Sequence, residues 1–278
     1  MPPSLTPAQA SLVQTWIGDA SPVADMSWNL DTVVLHVRTA AGERIVKAAG
    51  PKAHHHLLRE IAAHTGATGP LVEAGRTSRM LHADSDAGVI VLEYQDGVLV
   101  EGSPAEYAAD TYRQAGELLR LLHDQAARLD DELEERENAK ALAWLERPHR
   151  VSSDIAAEAR RVLRAAPARP VRIVPTHGDW HPRNWLIDQG RVRAIDFGRF
   201  AWRPPQTDLA RMDARQWLIA PGLEAAFFDG YGDDPRDDTW NLEKLRQAVG
   251  TAVWAHQVGD EAFEAQGHRM LAAALTAF

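Results

Sequence analysis

Residues 176–199 read THGDWHPRNWLIDQGRVRAIDFGR, and this stretch decides both the fold and the chemistry that we expect of the chain. Its first part, at 177–184, is polar and interrupted by glycine and proline, which predicts a loop. Its second part predicts a β-hairpin, because apolar runs at 185–187 and 192–195 flank a turn signal, Asp188-Gln189-Gly190. A polar loop that leads directly into a tight hairpin is therefore expected.

The hairpin would bring two possible cation ligands together. Because a hairpin folds its two ends side by side, we expect Asn184, before the first strand, to lie close to Asp196, after the second. Asp179 lies in the loop that precedes them. Carboxylate and amide oxygens are ligands that Mg²⁺ prefers, and a carboxylate near the metal can accept a proton from a hydroxyl group. Together the three side chains predict phosphoryl transfer.

Two motifs in this stretch resemble those of a known enzyme group. HGDWHPRN resembles the HGDxxxxN catalytic loop of the aminoglycoside phosphotransferase and choline kinase-like families, and IDFGR resembles their metal-binding segment, which is related to the DFG of protein kinases. The steps of five residues from Asp179 to Asn184 and twelve from Asn184 to Asp196 suit that pattern. The resemblance implies that Asp179 orients and deprotonates an acceptor hydroxyl, and that Asn184 and Asp196 bind Mg²⁺ carried by ATP or GTP.

Further residues match the same pattern in the same order along the chain. Lys47, in a strand predicted at 44–48, is similar to the phosphate-binding lysine of these families, and Glu60 is similar to its ion-pair partner. The segment VLEYQDG resembles their adenine-binding hinge. The resemblance implies that backbone groups near Glu93 and Tyr94 meet the nucleotide base.

Two residues are expected to support the catalytic loop. The resemblance implies that Asp208, in TDLAR, braces this loop, and we expect His177 to support it by hydrogen bonding. The partner of the lysine stays open at this point. Glu43 and Glu73 lie near enough in the sequence to take the place of Glu60.

The hydrophobic pattern divides the chain into a β-rich part and a helical part. The elements that it predicts are strands at 32–38, 44–48 and 88–94 and helices at 54–64, 107–126 and 153–164. The long helix follows the capping signal Ser103-Pro104-Ala105-Glu106. With the resemblance, this implies an α+β, two-lobed, protein kinase-like fold. Residues 1–97 would form a β-rich, nucleotide-binding N-lobe, and residues 98–278 a mostly helical C-lobe with the catalytic loop and the acceptor site.

The composition favours a cytoplasmic enzyme. No apolar run reaches the roughly 18 residues that a membrane span needs, and the first residues do not form a secretory signal. The chain has no cysteine, which excludes disulfides, thiolate nucleophiles and cysteine-based zinc sites. Its formal net charge of −9 disfavours nucleic-acid binding, because phosphate backbones are bound by clustered Lys and Arg. We expect a monomer that acts on small molecules and binds neither nucleic acid nor membrane.

The C-terminal charge bears on the acceptor. Residues 206–278 hold 12 Asp and Glu against 6 Lys and Arg. This acidity fits a solvated surface, and it also fits attraction of a cationic substrate. Together with the resemblance it favours an aminoglycoside-type antibiotic, or a related cationic or sugar-like compound, as acceptor, and hence a role in antibiotic resistance. A metabolic kinase of a choline-, homoserine- or sugar-like substrate is the alternative.

Two functions of other classes are weighed beside this one. His177, Asp179 and His181 alternate, so on a strand they would share a face and could hold a transition metal, as in a metallohydrolase, but Pro182 argues against a regular strand. The segment at 22–31, where kinases carry a glycine-rich loop, has no glycine. That loss of flexibility raises the alternative of a nucleotide-binding pseudokinase that serves as an interaction module.

Histidine and tryptophan residues outside this pattern favour structural roles. The run His54-His55-His56 is unsuited to one metal ion, because adjacent helical residues point about 100° apart. Most of the nine tryptophans are expected in the core. Trp180 and Trp202, which lie beside the motifs, could instead line the acceptor pocket.

Overall fold

The computed structural model describes residues 5–27 and 31–278. The chain divides into two compact units, each built from three segments. Unit 1 comprises Met1–Gln125, Pro175–Ala201 and Ala220–Asp233, and unit 2 comprises Ala126–Val174, Trp202–Ile219 and Asp234–Phe278. The predicted boundary between residues 97 and 98 falls inside unit 1, and the division into two lobes stays a prediction.

The described residues form 49% helix and 20% strand. The strands are β1 (Ala20–Asp25), β2 (Thr32–Thr39), β3 (Gly42–Ala49), β4 (Met80–Asp84), β5 (Val89–Glu93), β6 (Val98–Leu99), β7 (Arg128–Asp130), β8 (Val171–Thr176), β9 (Trp185–Asp188), β10 (Arg191–Ala194) and β11 (Ala201–Arg203). The helices are α1 (Pro7–Ile17), α2 (His54–Gly66), α3 (Gly69–Glu73), α4 (Ala109–His123), α5 (Leu133–Trp144), α6 (Ser153–Ala165), α7 (Ala210–Asp213), α8 (Gln216–Ile219), α9 (Gly222–Tyr231), α10 (Trp240–Val258) and α11 (Glu261–Leu275).

Unit 1 contains a five-stranded antiparallel sheet with the order β1-β2-β3-β5-β4. Its centre is rich in β-branched residues, which suit a pleated and buried surface. The register places Lys47 of β3 opposite Val34 of β2 and Ile90 of β5. The lysine therefore lies in the middle of the sheet, with a strand on each side.

Different helices cover the two faces of this sheet. Val46 of β3 packs in one apolar cluster with Val13 of α1, and the neighbouring cluster joins Ala49 of β3 to Leu57 of α2. Side chains alternate between the faces of a strand. Lys47 therefore shares the face of Ala49 and points to the side of α2.

Two glycines allow α4 and α9 of unit 1 to pack closely. A Cβ atom on Gly116 would lie 2.2 Å from the carbonyl oxygen of Phe227, and one on Gly230 would lie 1.8 Å from that of Arg113. Real Cβ atoms do not approach backbone this closely. The contact of the two helices therefore depends on the missing side chains at both positions.

Unit 2 has its own apolar core, formed mainly between α10 and α11 and against α5 and α6. One charged pair is buried in this unit, because Arg246 of α10 lies 2.6 Å from a carboxylate oxygen of Glu134 on α5. The same guanidinium donates to Asn138 Oδ1. Buried charges are tolerated when they are paired in this way.

Some elements differ from the prediction. The first hundred residues contain α1 and α3 in addition to the predicted helix. The long helix begins at Ala109 and not at residue 107, because Ser103 caps a separate 3₁₀ turn at Pro104–Tyr107. In the part of the chain that the structure describes, no helix is both long and apolar enough to cross a bilayer.

Candidate active site

The predicted hairpin positions the two candidate metal ligands. Strands β9 and β10 pair in antiparallel register up to Trp185 opposite Ala194. The pairing continues by one residue, because the Ile195 amide donates to the carbonyl oxygen of Asn184 over 3.0 Å. Asn184 and Asp196 therefore flank the open end of the hairpin, as its residues predicted.

The loop before the hairpin is held from inside. His177 is fully buried, and its Nε2 atom donates to the carbonyl oxygen of Ile195 over 3.0 Å. Asn184 Nδ2 donates to the carbonyl oxygen of Asp179 over 2.8 Å. These two bonds tie the loop to the hairpin, and the role of His177 as a support of a catalytic loop stays a prediction. Trp180 is also fully buried, with an edge-to-face contact to Trp185, and so belongs to the core and not to an acceptor pocket.

Two basic side chains flank the carboxylate of Asp179. His181 Nε2 lies 3.5 Å from Asp179 Oδ1, and Arg199 Nε lies 3.7 Å from Asp179 Oδ2. The Asp179 side chain keeps 18% of its surface exposed. The carboxylate is thus partly open to solvent, with a basic group beside each oxygen.

Lys47 and Glu60 form a buried ion pair. Lys47 Nζ lies 2.7 Å from Glu60 Oε1, and the exposed fractions of the two side chains are 14% and 4%. Lys47 Nζ also lies 3.9 Å from Asp196 Oδ1. The structure therefore brings together three predicted site residues from a strand, a helix and the end of the hairpin.

The charges in this group set its ionisation. Burial lowers the pKa of Lys47, but the carboxylates of Glu60 and Asp196 raise it more, so the pKa ends above its usual value. Burial raises the pKa of Glu60 against the opposing charge of Lys47. For Asp196, partial desolvation raises the pKa, and the charges of Lys47 and His177 outweigh it, so the pKa ends below its usual value. Lys47 and Asp196 are therefore charged at neutral pH.

Asp196 combines an unusual backbone with an accessible side chain. Its φ is +64°, in the left-handed region that few residues other than glycine adopt, although aspartate and asparagine tolerate it best. Its side chain is 56% exposed. The left-handed turn ends the hairpin strand and leaves the carboxylate available to a ligand, close to Lys47.

The two other candidates for the lysine's partner lie elsewhere. Glu43 bonds to His36 and Arg38 on the neighbouring strand, with Nε2 of His36 at 2.8 Å. Glu73 lies at the end of α3. The alternative that the sequence left open is thus resolved in favour of Glu60.

Glu93 and Tyr94 lie where β5 ends. The rings of Tyr94 and His36 are stacked, with centroids 3.9 Å apart. A polar cavity of about 440 Å³ is lined there by Glu43, Arg44, Glu93, Tyr94 and Asp96. This cavity is separate from the charged group around Lys47, since neither the lysine nor the hairpin ligands line it.

The remaining predicted residues lie apart or outside the described chain. Asp208 is buried in a 3₁₀ turn, Pro205–Leu209, of unit 2, and its role as a brace stays a prediction. Trp202, also of unit 2, is half-buried under the guanidinium of Arg128. In the glycine-poor segment, residues 28–30 lie outside the described residues, while Ser27 Oγ accepts from the Val34 amide over 3.0 Å.

Three residues near the site were missed by the sequence reasoning. His56 Nδ1 bonds to the carbonyl oxygen of Gly198 over 3.0 Å. His64 makes an edge contact with the Phe197 ring, and burial, with Lys47 nearby, lowers the pKa of His64 to about 3. Arg199 stands in the quoted IDFGR. Of the three, only Arg199 could have been found from the sequence, because it stands within the quoted motif. The two histidines reach the site through tertiary contacts.

The donor atoms fit a hard cation better than a transition metal. Since Asn184 Nδ2 donates to the carbonyl oxygen of Asp179, Oδ1 is the amide atom left as a possible ligand for a cation. Among the described residues, no group of three or more His, Asp or Glu could hold a metal ion. His177, Asp179 and His181 therefore do not form the arrangement that a metallohydrolase needs, and His54, His55 and His56 form no such site either.

The sequence matches a family model over most of its length. The model is described as the phosphotransferase enzyme family, and it matches residues 27–269. A comparison with curated protein sequences finds no match.

Solved structures similar to this one cover nearly the whole chain. Choline kinase LicA from Streptococcus pneumoniae is 16% identical, with 98% of this chain and 100% of that chain covered and a TM-score of 0.67. A thermostable mutant of aminoglycoside phosphotransferase APH(4)-Ia, in a ternary complex with ADP and hygromycin B, is 14% identical, with 98% of each chain covered and a TM-score of 0.70. Macrolide 2'-phosphotransferase MphH from Brachybacterium faecium is 16% identical, with 95% and 96% covered and a TM-score of 0.62. The predicted α+β, kinase-like fold is confirmed.

Proposed function

Because the chain belongs to the phosphotransferase enzyme family, as its motifs predicted, we propose that it transfers the γ-phosphate of ATP or GTP to a hydroxyl group of a small acceptor. Phosphoryl transfer to hydroxyl groups is the activity of this family. We further propose the donor nucleotide, the metal, the acceptor and the role of each residue.

One observation supports the proposal most strongly. The buried Lys47–Glu60 pair lies close to the carboxylate of Asp196, and Asn184 lies at the same end of the hairpin as Asp196. A charged donor for phosphate thus lies next to two oxygen ligands for a cation. Phosphoryl transfer depends mainly on such positioning and charge stabilisation.

Lys47 binds the α- and β-phosphates in this proposal. Its ammonium group is charged at neutral pH, because two carboxylates raise its pKa. Glu60 holds it from the side of α2 and has almost no exposed surface. The backbone near Glu93 and Tyr94, where β5 ends, meets the base.

Asn184 and Asp196 hold the nucleotide's Mg²⁺, which when bound neutralises charge on the phosphate oxygens. The protein offers an amide oxygen and one carboxylate. This small set suits Mg²⁺, because that ion commonly keeps substrate phosphates and waters among its six ligands. The left-handed backbone of Asp196 presents its carboxylate toward Lys47.

Asp179 orients the acceptor hydroxyl and receives its proton. Its carboxylate is partly exposed, and the loop is fixed by His177 and Asn184. Arg199 Nε lies 3.7 Å from the Oδ2 atom of Asp179. We also include Asp208 as a second support of this loop.

The acceptor proposed is an aminoglycoside-type antibiotic, or a related cationic or sugar-like compound. The excess of acidic residues at 206–278 supports a cationic acceptor. One of the similar structures is an aminoglycoside phosphotransferase in complex with ADP and hygromycin B, and a second is a choline kinase. A metabolic kinase of a choline-, homoserine- or sugar-like substrate is the alternative. The proposal also includes a role in antibiotic resistance and a monomeric state. It further includes a cytoplasmic location, and the absence of cysteine favours this location.

Release of ADP or GDP tests the proposal. The protein is incubated with Mg²⁺ and ATP or GTP across a panel of aminoglycosides, macrolides, choline, homoserine and simple sugars. Acceptor-dependent release identifies the acceptor class. We expect Asp179→Asn to keep the fold and nucleotide binding while slowing turnover by about 10²-fold or more.

The matched control is Asp188→Asn, because Asp188 lies on the same hairpin but pairs with Arg193. Its turnover should stay close to that of the wild type. Near-normal turnover of Asp179→Asn would contradict the role of Asp179. A wild-type protein that binds no Mg²⁺-nucleotide would contradict phosphoryl transfer altogether.

A further inference from the structure

We propose that His56 is a positioning residue, which fastens the Asp196–Gly198 segment to helix α2 and so keeps the two halves of the nucleotide site in register. The inference rests on the proposed function for its consequence in nucleotide binding. The bond itself is a feature of the folded protein without ligand. His56 Nδ1 lies 3.0 Å from the carbonyl oxygen of Gly198, across 142 positions of sequence.

The chemistry of this bond fixes the state of the imidazole. A carbonyl oxygen only accepts hydrogen bonds, so the proton must be on Nδ1 of His56. Burial is the largest influence on this ring and lowers the pKa of His56. The neutral ring therefore holds its single proton at the atom that faces Gly198.

Helix α2 meets the segment along one stripe. His56, Glu60 and His64 are spaced four residues apart, so they follow one another on the same face of the helix. The Phe197 backbone lowers the pKa of Glu60, which also binds Lys47. His64 contacts the Phe197 ring, with centroids 5.5 Å apart. His56 is thus the first of three consecutive contacts between one helix and one short segment.

Gly198 is fixed from both sides. Its amide donates to Asp196 Oδ1 over 3.4 Å, and its carbonyl oxygen accepts from His56. A Cβ atom at Gly198 would lie 3.2 Å from Asp196 Oδ1 and 3.6 Å from the Cβ of His56. The close approach of helix and segment therefore brings His56 against Gly198, two residues after Asp196, whose carboxylate the proposed function assigns to the metal.

The effect on nucleotide binding follows from the site residues that helix α2 and the Asp196–Gly198 segment hold. The helix holds Glu60 and, through it, Lys47, while the segment holds Asp196. Lys47 and Asp196 serve the same phosphates in the proposed function, so their separation must stay constant. Of the three contacts, His56 involves no ion pair, so it can be removed without leaving a buried charge unpaired.

Two substitutions separate the hydrogen bond from the packing of the ring. His56→Asn keeps an N–H donor close to the position of Nδ1, whereas His56→Phe keeps a ring without the donor. The control is His55→Ala, because His55 is the adjacent residue of the same helix and its side chain is exposed. The full-length protein is used throughout.

Two readouts are compared among these proteins. Amide hydrogen exchange of a peptide that covers residues 196–200 is followed without nucleotide, and the affinity for Mg²⁺-ADP is measured by calorimetry. For His56→Phe we expect exchange about fivefold faster and Mg²⁺-ADP binding about fivefold weaker, the typical effect of one neutral hydrogen bond. His56→Asn and His55→Ala should stay within about twofold of the wild type.

Wild-type exchange in His56→Phe would overturn the inference. Equal losses in His56→Asn and His56→Phe would overturn it as well, because the ring and not the donor would then matter. If the wild type binds no Mg²⁺-ADP, the proposed function fails, and with it the consequence for nucleotide binding. The exchange comparison still decides whether His56 fastens the segment, since it requires no nucleotide.

Discussion

Replacing Lys47 with methionine should destabilise the protein at neutral pH and do so less at acidic pH. Methionine has a similar length and no charge, so the variant leaves Glu60 buried without its partner. Glu60 has only 4% of its side chain exposed, and its Oε1 lies 2.7 Å from the ammonium group that the variant removes. Asp196 Oδ1, which lies 3.9 Å from Lys47 Nζ, also loses an attraction. Because the Asp196 side chain is 56% exposed, water can replace part of that attraction.

The size of the loss follows from the burial of the pair. Removing one partner of a buried ion pair typically costs about 3–5 kcal/mol of unfolding free energy, because the remaining charge is uncompensated. We expect the lower end of this range, about 3 kcal/mol, since the Phe197 backbone, which lowers the pKa of Glu60, still favours its charged form. Adding a second substitution, Glu60→Gln, to the Lys47→Met protein removes the uncompensated charge. The double variant should therefore be more stable than Lys47→Met at neutral pH.

The pH dependence has a definite sign. Burial already raises the pKa of Glu60, and loss of Lys47 removes a charge that lowers it. A carboxyl group whose pKa is higher in the folded state favours folding at low pH, and this contribution is lost as the pH rises through the folded-state pKa. The deficit of Lys47→Met relative to the wild type should thus be smaller at pH 5.5 than at pH 7.5, whereas the double variant should lack this added dependence.

Urea unfolding followed by tryptophan fluorescence measures these differences at both pH values. The control is Lys140→Met, because Lys140 pairs with Glu137 at the surface with 61% of its side chain exposed. Its unfolding free energy should change by less than about 1 kcal/mol. The reasoning fails if the double variant is no more stable than Lys47→Met at pH 7.5, or if the deficit is the same at both pH values.

Two further substitutions test the site and the packing beneath it. Asp196→Asn should keep the wild-type melting temperature in calorimetry, because asparagine also tolerates the left-handed φ of +64°. In the release assay, Mg²⁺-dependent release of ADP or GDP should slow by about 10²-fold or more. Undiminished release would remove Asp196 from the proposed metal site. Gly230→Ala should lower the unfolding free energy by about 1–3 kcal/mol, because its Cβ would lie 1.8 Å from Arg113 O, whereas Gly250→Ala, with nothing within 4 Å, should be neutral or stabilising. Equal effects of the two glycine substitutions in urea unfolding would contradict the close contact of α4 and α9.

The hairpin that holds Asn184 and Asp196 was predictable because its turn and both of its strands lie within about twenty residues. The turn residues Gln189 and Gly190 both have positive φ, as a two-residue hairpin turn requires. Once the turn is fixed, the register of its strands follows, and the ends must meet. The same holds for the pairing of β2 and β3, which places Lys47 in the sheet.

The partner of Lys47 was not predictable in this way. Glu43 shares its strand, and the choice among Glu43, Glu60 and Glu73 depends on how a helix docks on the sheet. Apolar contacts such as that of Leu57 decide this docking. The start of α4 was misplaced for a different reason, because Ser103 satisfies the cap of a 3₁₀ turn and so gives the same local signal as a longer helix.

The site therefore combines a local part with a distant part, and the two are stabilised differently. The loop and hairpin contain bonds between residues close in sequence, such as that from His177 to Ile195, 18 positions apart. Lys47 meets the end of the hairpin through its own contact with Asp196 and through α2, whose contacts with the Asp196–Gly198 segment span more than a hundred residues of sequence. Changes in the packing of α2 should thus weaken the phosphate-binding part first and leave the geometry around Asp179 intact. The local motif predicts which groups take part in the chemistry, whereas tertiary packing sets how firmly they are held together.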